Sequence, residues 1–543
     1  MRILMLNWAK IWDGARRGGI SGYAQALALE LASRGHAVST ISSGTTYVPD
    51  ANGASGRCAA RRHPDWMGIR AYEIVNSPVL APSLLQFREP EAEIASPSLA
   101  EAFADVLRVE QPAAVHVQSL EGFSLDCLDV ARQAGCRLIY SLHNYHTLCP
   151  QVYFMHRHRR LCTDYDGGRS CEGCIECPDP AAERARRAAA YPGEPLPFDA
   201  PPPAAPAPRT PTRRPRLGLL RRFRPDPPSS PPPPPGVAAD AEPGAIEAAD
   251  EARGMTLVVR QWAAARAWCQ PEHETWRTFD NVADAEPLTN GEPTPYSERR
   301  RAMVDALNRC DLVHAVSSFV RDKYVAHGVD AARIRTIHIG TIAHELVAAN
   351  RELLFDPPPR PASDTRPLRL LFIGVNHWYK GVSMLADALE MLTPEVLCSI
   401  ELSVFAGGGE SIEYRFRRLE PRLAGLRVVH GYEPQDIAWM CGGQDVGVVP
   451  SVWWDNGPQT VMEMQACGLP LLGARAGGIP DFIEDGVNGL LFRANDRFDL
   501  AGSIVRCVRE PGLTERLRRG VRPPKTMAEH ASELEPIYRG DVP

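Results

Sequence analysis

Short apolar runs alternating with helical stretches recur through both halves of the chain, and this restricts the fold more than any other feature. In the first half the runs fall at Arg2 to Asn7, Ala37 to Ser42, Ala114 to Gln118, Arg137 to Leu142, Leu312 to Val316 and Ile334 to His338. In the second they fall at Leu368 to Ile373, Ile400 to Phe405, Arg427 to Val429, Val446 to Pro450, Pro470 to Ala474 and Gly489 to Phe492. A strand that is apolar along its whole length must be covered on both faces, and parallel strands joined by crossover helices meet that demand. The pattern predicts an α/β protein with two Rossmann-like, doubly wound parallel-sheet domains. Ligands of such sheets bind outside the carboxyl ends of the strands, so the cleft where the two domains face one another is where chemistry is expected. At 543 residues the chain has room for both. Residues 1–177 with 295–350 are expected to form the first domain, 365–505 the second, and 506–543 a helical tail.

The segment 178–294 interrupts the first domain. It is rich in Pro, Ala and Arg and includes the five-proline run Pro231 to Pro235. Such composition buries too little apolar surface to offset ordering entropy, so Pro178 to about Glu247 is expected to be disordered or partly extended, with a helix resuming from about Ala248 to Cys269. Within it the basic cluster Arg213 to Arg224, with Leu217, Leu219, Leu220 and Phe223 among its arginines, is either a solvated linker or a peripheral contact with an anionic membrane. A net charge of -6 gives no reason to expect nucleic acid as a partner. No apolar run reaches the roughly 18 residues that span a bilayer, and the apolar part of MRILMLNWAK is too short for a signal peptide, so a cytoplasmic protein is expected, at most peripheral to the inner face of the plasma membrane.

The first strand runs into a loop with Gly14, Gly18, Gly19 and Gly22, followed by a helix from about Tyr23 to Arg34. A nicotinamide site would want G-x-G-x-x-G and an acid at the end of the second strand; here Ser42-Ser43-Gly44 stands there, which argues against it. The glycine pair Gly18-Gly19 suits close approach of backbone to a substrate, or only a tight turn.

The richest stretch is PSVWWDNGPQTVMEMQACGLPLLGARAGGIP, from Pro450 to Pro480. Asp455 lies in the turn after an apolar strand, Pro458 is expected at the first helical position, Glu463 follows about a turn and a half in, and Gly468 ends the helix. A helix start leaves N–H groups unpaired and carries a positive dipole end, so the amides of Gly457, Gln459 and Thr460 can receive phosphate oxygens. Glu463 could then accept both hydroxyls of a ribose and Asp455 a hexose hydroxyl. The segment reads as a grip for a nucleotide sugar.

An acid, seven intervening positions and a Glu, after Pro-Ser and before Ala-Cys-Gly-x-Pro and Gly-Gly-Ile-Pro-Asp, resembles the donor signature of family 4 glycosyltransferases, which have the GT-B fold. The resemblance covers about 300 residues in patches and implies a retaining glycosyltransferase that moves a sugar from UDP or GDP to a hydroxyl of a glycan or lipid-linked acceptor, in bacterial surface polysaccharide synthesis. It makes the first domain the acceptor side and brings the tail from Pro523 to Tyr538 back to that domain. It implies that Lys380, before Gly381, neutralises the diphosphate together with the helix amides, and that His143 positions the reacting groups through hydrogen bonding. Gly18, Gly19, Gly374, Asn376, Gly408, Gly457, Pro458, Gln459 and Thr460 would line the substrates. Retention by front-face displacement needs no protein nucleophile, and no metal or other cofactor is required. Two departures stand out. The first acid is usually Glu and here is Asp455, and the Arg that usually follows the strand-ending glycine is Val375. Both favour a rival reading, a non-catalytic nucleotide-sugar-binding partner protein with a degenerate site.

Trp378, Tyr379, Trp453 and Trp454 either flank the base or sugar or pack as core. Cys149, Cys162, Cys171 and Cys174, with Cys177 spare, include the C-x-x-C spacing that points two thiolates at one ion. They could hold a structural zinc beside the loop after His143, remain free or redox-active thiols, or carry an iron–sulfur cluster. A metal-dependent or redox regulator centred on them is the other rival.

Overall fold

The computed structural model describes residues 1–12, 19–49, 56–83, 89–156, 160–162, 167–174, 179–191, 291–355, 366–375, 377–407 and 411–541. Most of the Pro/Ala-rich insertion, including the basic cluster and the helix expected near 248–269, lies outside these residues, as do Gly18, Asn376, Gly408 and Cys177.

In chain order the strands are β1 (Arg2–Leu6), β2 (Ala37–Ser43), β3 (Ala59–Trp66), β4 (Ile69–Val75), β5 (Ala114–Val117), β6 (Arg137–Leu142), the short ribbon β7 (Met155–His156) and β8 (Arg160–Leu161), β9 (Leu312–Ala315) and β10 (Ile334–Thr336). They are followed by β11 (Leu368–Val375), β12 (Ile400–Gly407), β13 (Gly425–His430), β14 (Val446–Val449), β15 (Leu471–Ala474) and β16 (Gly489–Phe492). The first sheet runs β10-β9-β6-β5-β1-β2-β4-β3, parallel throughout except where β3 and β4 form an edge hairpin. The second runs β13-β12-β11-β14-β15-β16 and is parallel throughout. Two Rossmann-like parallel-sheet domains are therefore present, as the apolar runs predict. Ile3 to Leu6, Val446 to Val449 and Leu471 to Ala474 are buried along their whole length, the signature of strands covered on both faces. Both sheets belong to one compact unit.

Order changes direction at β1 in the first sheet, flanked by β2 and β5, and between β11 and β14 in the second. These switch points open crevices at the carboxyl ends of the strands. The loops that carry His143, Lys380 and Asp455 leave from those ends.

Three expectations need correction. The first long helix spans Gly19–Ser33, so Gly19 and Gly22 lie in its first turns and not in the preceding loop; burial of Tyr23, Ala24, Leu27, Ala28 and Leu31 holds this helix on the sheet. Pro458 precedes the helix Gln459–Ala466 as its cap instead of opening it, with an extended ψ of 117°. Residues 180–189, placed in the low-complexity insertion, form a helix capped by Asp179. It docks because Arg187, buried and paired with Glu183 at 2.8 Å, donates to the carbonyls of Gly44 and Ala81 at 2.9 Å. An arginine-rich sequence hides this, since a guanidinium shares the anchoring with the small apolar contact of Ala188 on Tyr47 and Leu80.

The helix Met527–Arg539 returns to the first domain. It starts with a Thr526–Glu529 capping box and packs its Tyr538 hydroxyl 2.7 Å from His116 Nδ1 under the first sheet.

Candidate active site

At the switch point of the second sheet, Lys380 Nζ donates to Asp455 Oδ2 at 2.7 Å. The lysine is 26% exposed and the aspartate 6%, so the pair sits at the floor of the cleft with one side open. The local sequence forces this. Gly381 has φ +74°, and a Cβ there would lie 1.6 Å from the Pro450 carbonyl oxygen, so only glycine lets the lysine loop pass beneath the Asp455 loop. Val452 N donates to the Tyr379 carbonyl at 2.9 Å and ties the two loops together. On the far side Gly477 and Gly478 pack against the backbone of Asp455 and Asn456, where any Cβ would collide at 2.2–2.3 Å. The Gly-Gly pair in the expected motif is thus a seat for the acid loop.

Asn456 is 3% exposed, and neither its amide nitrogen nor its oxygen finds a partner among the described residues; the indole nitrogen of buried Trp453 is likewise unpaired. Buried polar atoms of this kind are rare and are normally met by a ligand or water. Asn456 carries no sequence signal for this role, because an amide between an acid and a glycine has no pattern.

In the helix Gln459–Ala466 the buried residues are Val461, Met462, Met464 and Gln465. Gln459, Thr460 and Glu463 remain partly exposed, at spacings that place them on one face. The Gln459 side chain donates to the Gly19 carbonyl at 3.0 Å, and Gly457 faces Val316, so the helix start meets the first domain across the cleft. Gly374 lies within β11, and Val375, at its exposed end, is 40% accessible.

His143 follows β6 and is partly buried. Its Nε2 lies 2.8 Å from Gln118 Oε1, its ring centroid is 4.5 Å from that of Tyr23, and His314 lies 6.4 Å away edge-on. Burial, reinforced by His314, pushes its pKa down to about 3, so the imidazole is neutral at physiological pH. With the Gln118 oxygen as acceptor, Nε2 carries the proton and Nδ1 is left able to accept from a hydroxyl.

Aromatic residues close the back of the site. Tyr153 packs on Tyr379 at 4.8 Å and on Trp453 at 5.1 Å, and Lys380 Nζ lies 5.5 Å from the rings of both Tyr379 and Trp453. Trp454 accepts a hydrogen bond at its carbonyl from Tyr145 at 2.9 Å and carries Lys323 Nζ 3.7 Å above its ring. These tryptophans are wall and domain contact. Lys323 is one of four lysines in the chain, and nothing in its sequence context marks this contact. A second tie joins Asp481 to Ser318 N at 2.6 Å and to His338 at 2.9 Å.

Cys149, Cys162, Cys171 and Cys174 line one pocket with His156, Gln151 and Arg300. Gln151 donates to Cys174 Sγ at 3.1 Å, and none of the four is in a disulfide. Among the described residues no group of three or more His, Cys, Asp or Glu side chains is arranged to hold a metal ion. No helix among them is long and apolar enough to cross a membrane.

Residues 367–510 match the family model described as Glycosyl transferases group 1. The D-inositol 3-phosphate glycosyltransferase of Thermobifida fusca (strain YX) is 28% identical over 277 residues, covering 47% of this chain and 60% of that protein. The enzyme of that name from Nocardiopsis dassonvillei is 28% identical over 289 residues, 50% of this chain and 63% of the relative. The chain spans about three fifths of the length of the curated relatives it matches. Among solved structures, sucrose-phosphate synthase from Thermosynechococcus elongatus superposes with a TM-score of 0.52 at 15% identity, over 99% of this chain and 98% of that one. Anabaena Alr3699/HepE in complex with UDP-glucose gives 0.51 at 12%, over 99% and 100%. These structural matches establish the fold. With the sheet orders above they give the chain a GT-B fold, and the segment similar to glycosyl transferases group 1, residues 367–510, falls on its second domain.

Proposed function

We propose that this protein is a retaining glycosyltransferase that takes a sugar from a nucleoside diphosphate sugar, UDP- or GDP-linked, to the hydroxyl of a glycan or lipid-linked acceptor. The observation that carries the reading is the Lys380–Asp455 pair at 2.7 Å, at the carboxyl ends of β11 and β14 and beside the start of the helix Gln459–Ala466. As the anomeric bond breaks, negative charge grows on the diphosphate, and donors fixed in advance at that point lower the barrier most. The Lys380 ammonium and the amides at the helix start supply them. When the diphosphate draws Lys380 toward itself, Asp455 is released to accept a sugar hydroxyl, and Glu463, on the accessible face of the helix, takes the ribose. Neutral His143 orients the acceptor hydroxyl across the cleft. No carboxylate of the first domain is assigned as nucleophile, which suits front-face displacement with the departing diphosphate taking the acceptor proton. No metal step is needed, since Lys380 and the helix amides hold the charge.

Bacterial surface polysaccharide synthesis is the setting this reading favours, and the names of the curated relatives add D-inositol 3-phosphate as an acceptor to be tried. The test is transfer from UDP- and GDP-sugars to glycan, lipid-linked and D-inositol 3-phosphate acceptors, in excess chelator, by wild type and by Lys380→Ala and Glu463→Ala. Transfer with retained anomeric configuration that survives chelation and disappears in both variants supports the proposal. A specific observation favours the rival, a binding protein without turnover: exposed Val375 adds no second cation beside Lys380 at the end of β11. Nucleotide-sugar binding with neither transfer nor donor hydrolysis would establish that rival.

A further inference from the structure

Beneath His143 lies a buried polar network that the proposed chemistry does not use directly. Tyr23 Oη and His530 Nε2 are 2.6 Å apart. His116 Nε2 and His314 Nδ1 each lie 2.7 Å from the Ser141 hydroxyl, His116 Nδ1 is 2.7 Å from Tyr538 Oη, and His314 Nε2 meets the Ile337 carbonyl at 2.6 Å. His116, His314 and His530 have no exposed surface. Two members, His530 and Tyr538, come from the helix Met527–Arg539, which the chain enters only after completing the second domain.

The geometry gives this network a direction. The hydrogen bond between His143 and Gln118 fixes one ring atom of His143 but leaves its plane free to tilt about that point. The rings nearest to it are Tyr23, tilted by 55° at 4.5 Å, and His314, edge-on at 6.4 Å, and of the two Tyr23 is close enough to limit that tilt. Tyr23 is held in turn by its hydrogen bond to His530, whose ring also lies 5.6 Å from that of His314. The helix is brought close enough by Gly340, where a Cβ would lie 2.5 Å from the Thr526 carbonyl and 2.8 Å from His530 Cβ. An apolar pair would fill the same space without the cost of burying a phenol and an imidazole; what the polar pair adds is a fixed direction.

We propose that His530 is a positioning residue: through Tyr23 it sets the plane of the His143 imidazole toward the cleft, so that the helix following the donor domain completes the acceptor side of the site. This rests on the proposed role of His143. Small misplacement of a positioning group lowers turnover while leaving remote binding intact.

The test uses the full chain and four proteins: wild type, Tyr23→Phe, His530→Ala and His530→Gln. We expect kcat for sugar transfer to fall about tenfold in Tyr23→Phe and His530→Ala with the donor KM unchanged, and to recover in part in His530→Gln, whose side-chain amide can still hydrogen-bond the phenol. The ring resonances of His143 in histidine-labelled protein should move in Tyr23→Phe. The proposal is overturned if folded His530→Ala keeps wild-type kcat, if the loss of kcat only tracks a loss of folded protein, or if the His143 resonances stay where they are. Should His530→Ala fail to fold, Tyr23→Phe, which deletes one hydroxyl, decides. Should wild type transfer no sugar at all, the proposed function falls, and the His143 resonances alone decide the positioning claim.

Discussion

Lys380 and Asp455 are each other's partners at rest, so either can be freed only when a ligand compensates the other. Removing the ammonium leaves Asp455, 6% exposed, without its counter-charge, and would leave the proposed diphosphate without its cation. Lys380→Ala should lower turnover by about 100-fold or more, the scale of losing one donor aimed at developing charge, measured as kcat with saturating donor. Gly381 is the residue on which both depend. With φ +74° and the Pro450 carbonyl in the place of a Cβ, Gly381→Ala should cost more than about 4 kcal/mol or prevent folding, read from denaturant unfolding. Lys380 and Gly381 were legible as a pair in the sequence, as were Asp455 and Glu463 by their spacing. Asn456, Tyr153 and Lys323 were not. Their roles arise from a neighbour distant in the chain: a loop that leaves an amide unpaired, an opposing ring, a tryptophan face.

At the level of elements, the segment after His143 has almost no regular structure, yet it reaches the donor side. Val152 and Phe154 hold φ values of +67° and +52°, which β-branched and aromatic residues rarely adopt, and between them Tyr153 is pressed onto Tyr379 and Trp453. Backbone held this way persists only where its surroundings over-determine it. Tyr153→Ala should therefore raise the donor KM, by loosening the Tyr379–Lys380 loop, more than it lowers stability; donor titration and thermal melting on the same variant separate the two. Apolar runs announced most of the parallel strands, but not the edge hairpin β3–β4. Its turn is Met67-Gly68, with φ of +49° and +85°, and a methionine there gives none of the Asn-Gly signal that such a turn normally shows. The helix at 180–189 was missed for the opposite reason, since its anchor is a charged side chain. The start of the first helix was misplaced because glycines suit both a loop and an exposed first turn.

The whole molecule joins its halves through the C-terminal helix and a buried histidine cluster, and that cluster makes stability depend on pH. Burial holds His143 at about 3 and His314 at about 4, and holds His116 and His530 well below the ordinary 6.5. In the unfolded chain these imidazoles take up protons below about pH 6.5. Between that pH and the folded values the unfolded state binds more protons, so the stabilisation is complete above pH 6.5 and is lost progressively as pH falls toward 3. The melting temperature should drop steadily between pH 6.5 and about 5, above the range where most carboxylates titrate. An unchanged melting temperature over that interval would mean that the cluster is hydrated and not buried. The two-domain plan was plain in the sequence because it follows from strand burial, a property each segment carries by itself. The return of the tail to the first domain followed from the family resemblance, but the buried cluster it completes did not show, because residues 23, 143, 314 and 530 share no local pattern. The proposal on which the rest depends is a nucleoside diphosphate sugar held in the cleft through Lys380. The most direct measurement is the melting temperature of wild type and Lys380→Ala against a panel of UDP- and GDP-sugars. A ligand that binds only the folded state raises it. At least one nucleotide sugar should raise the melting temperature of wild type, and that rise should be largely lost in Lys380→Ala; no rise with any of them, or the same rise in both proteins, would contradict the proposed role of Lys380.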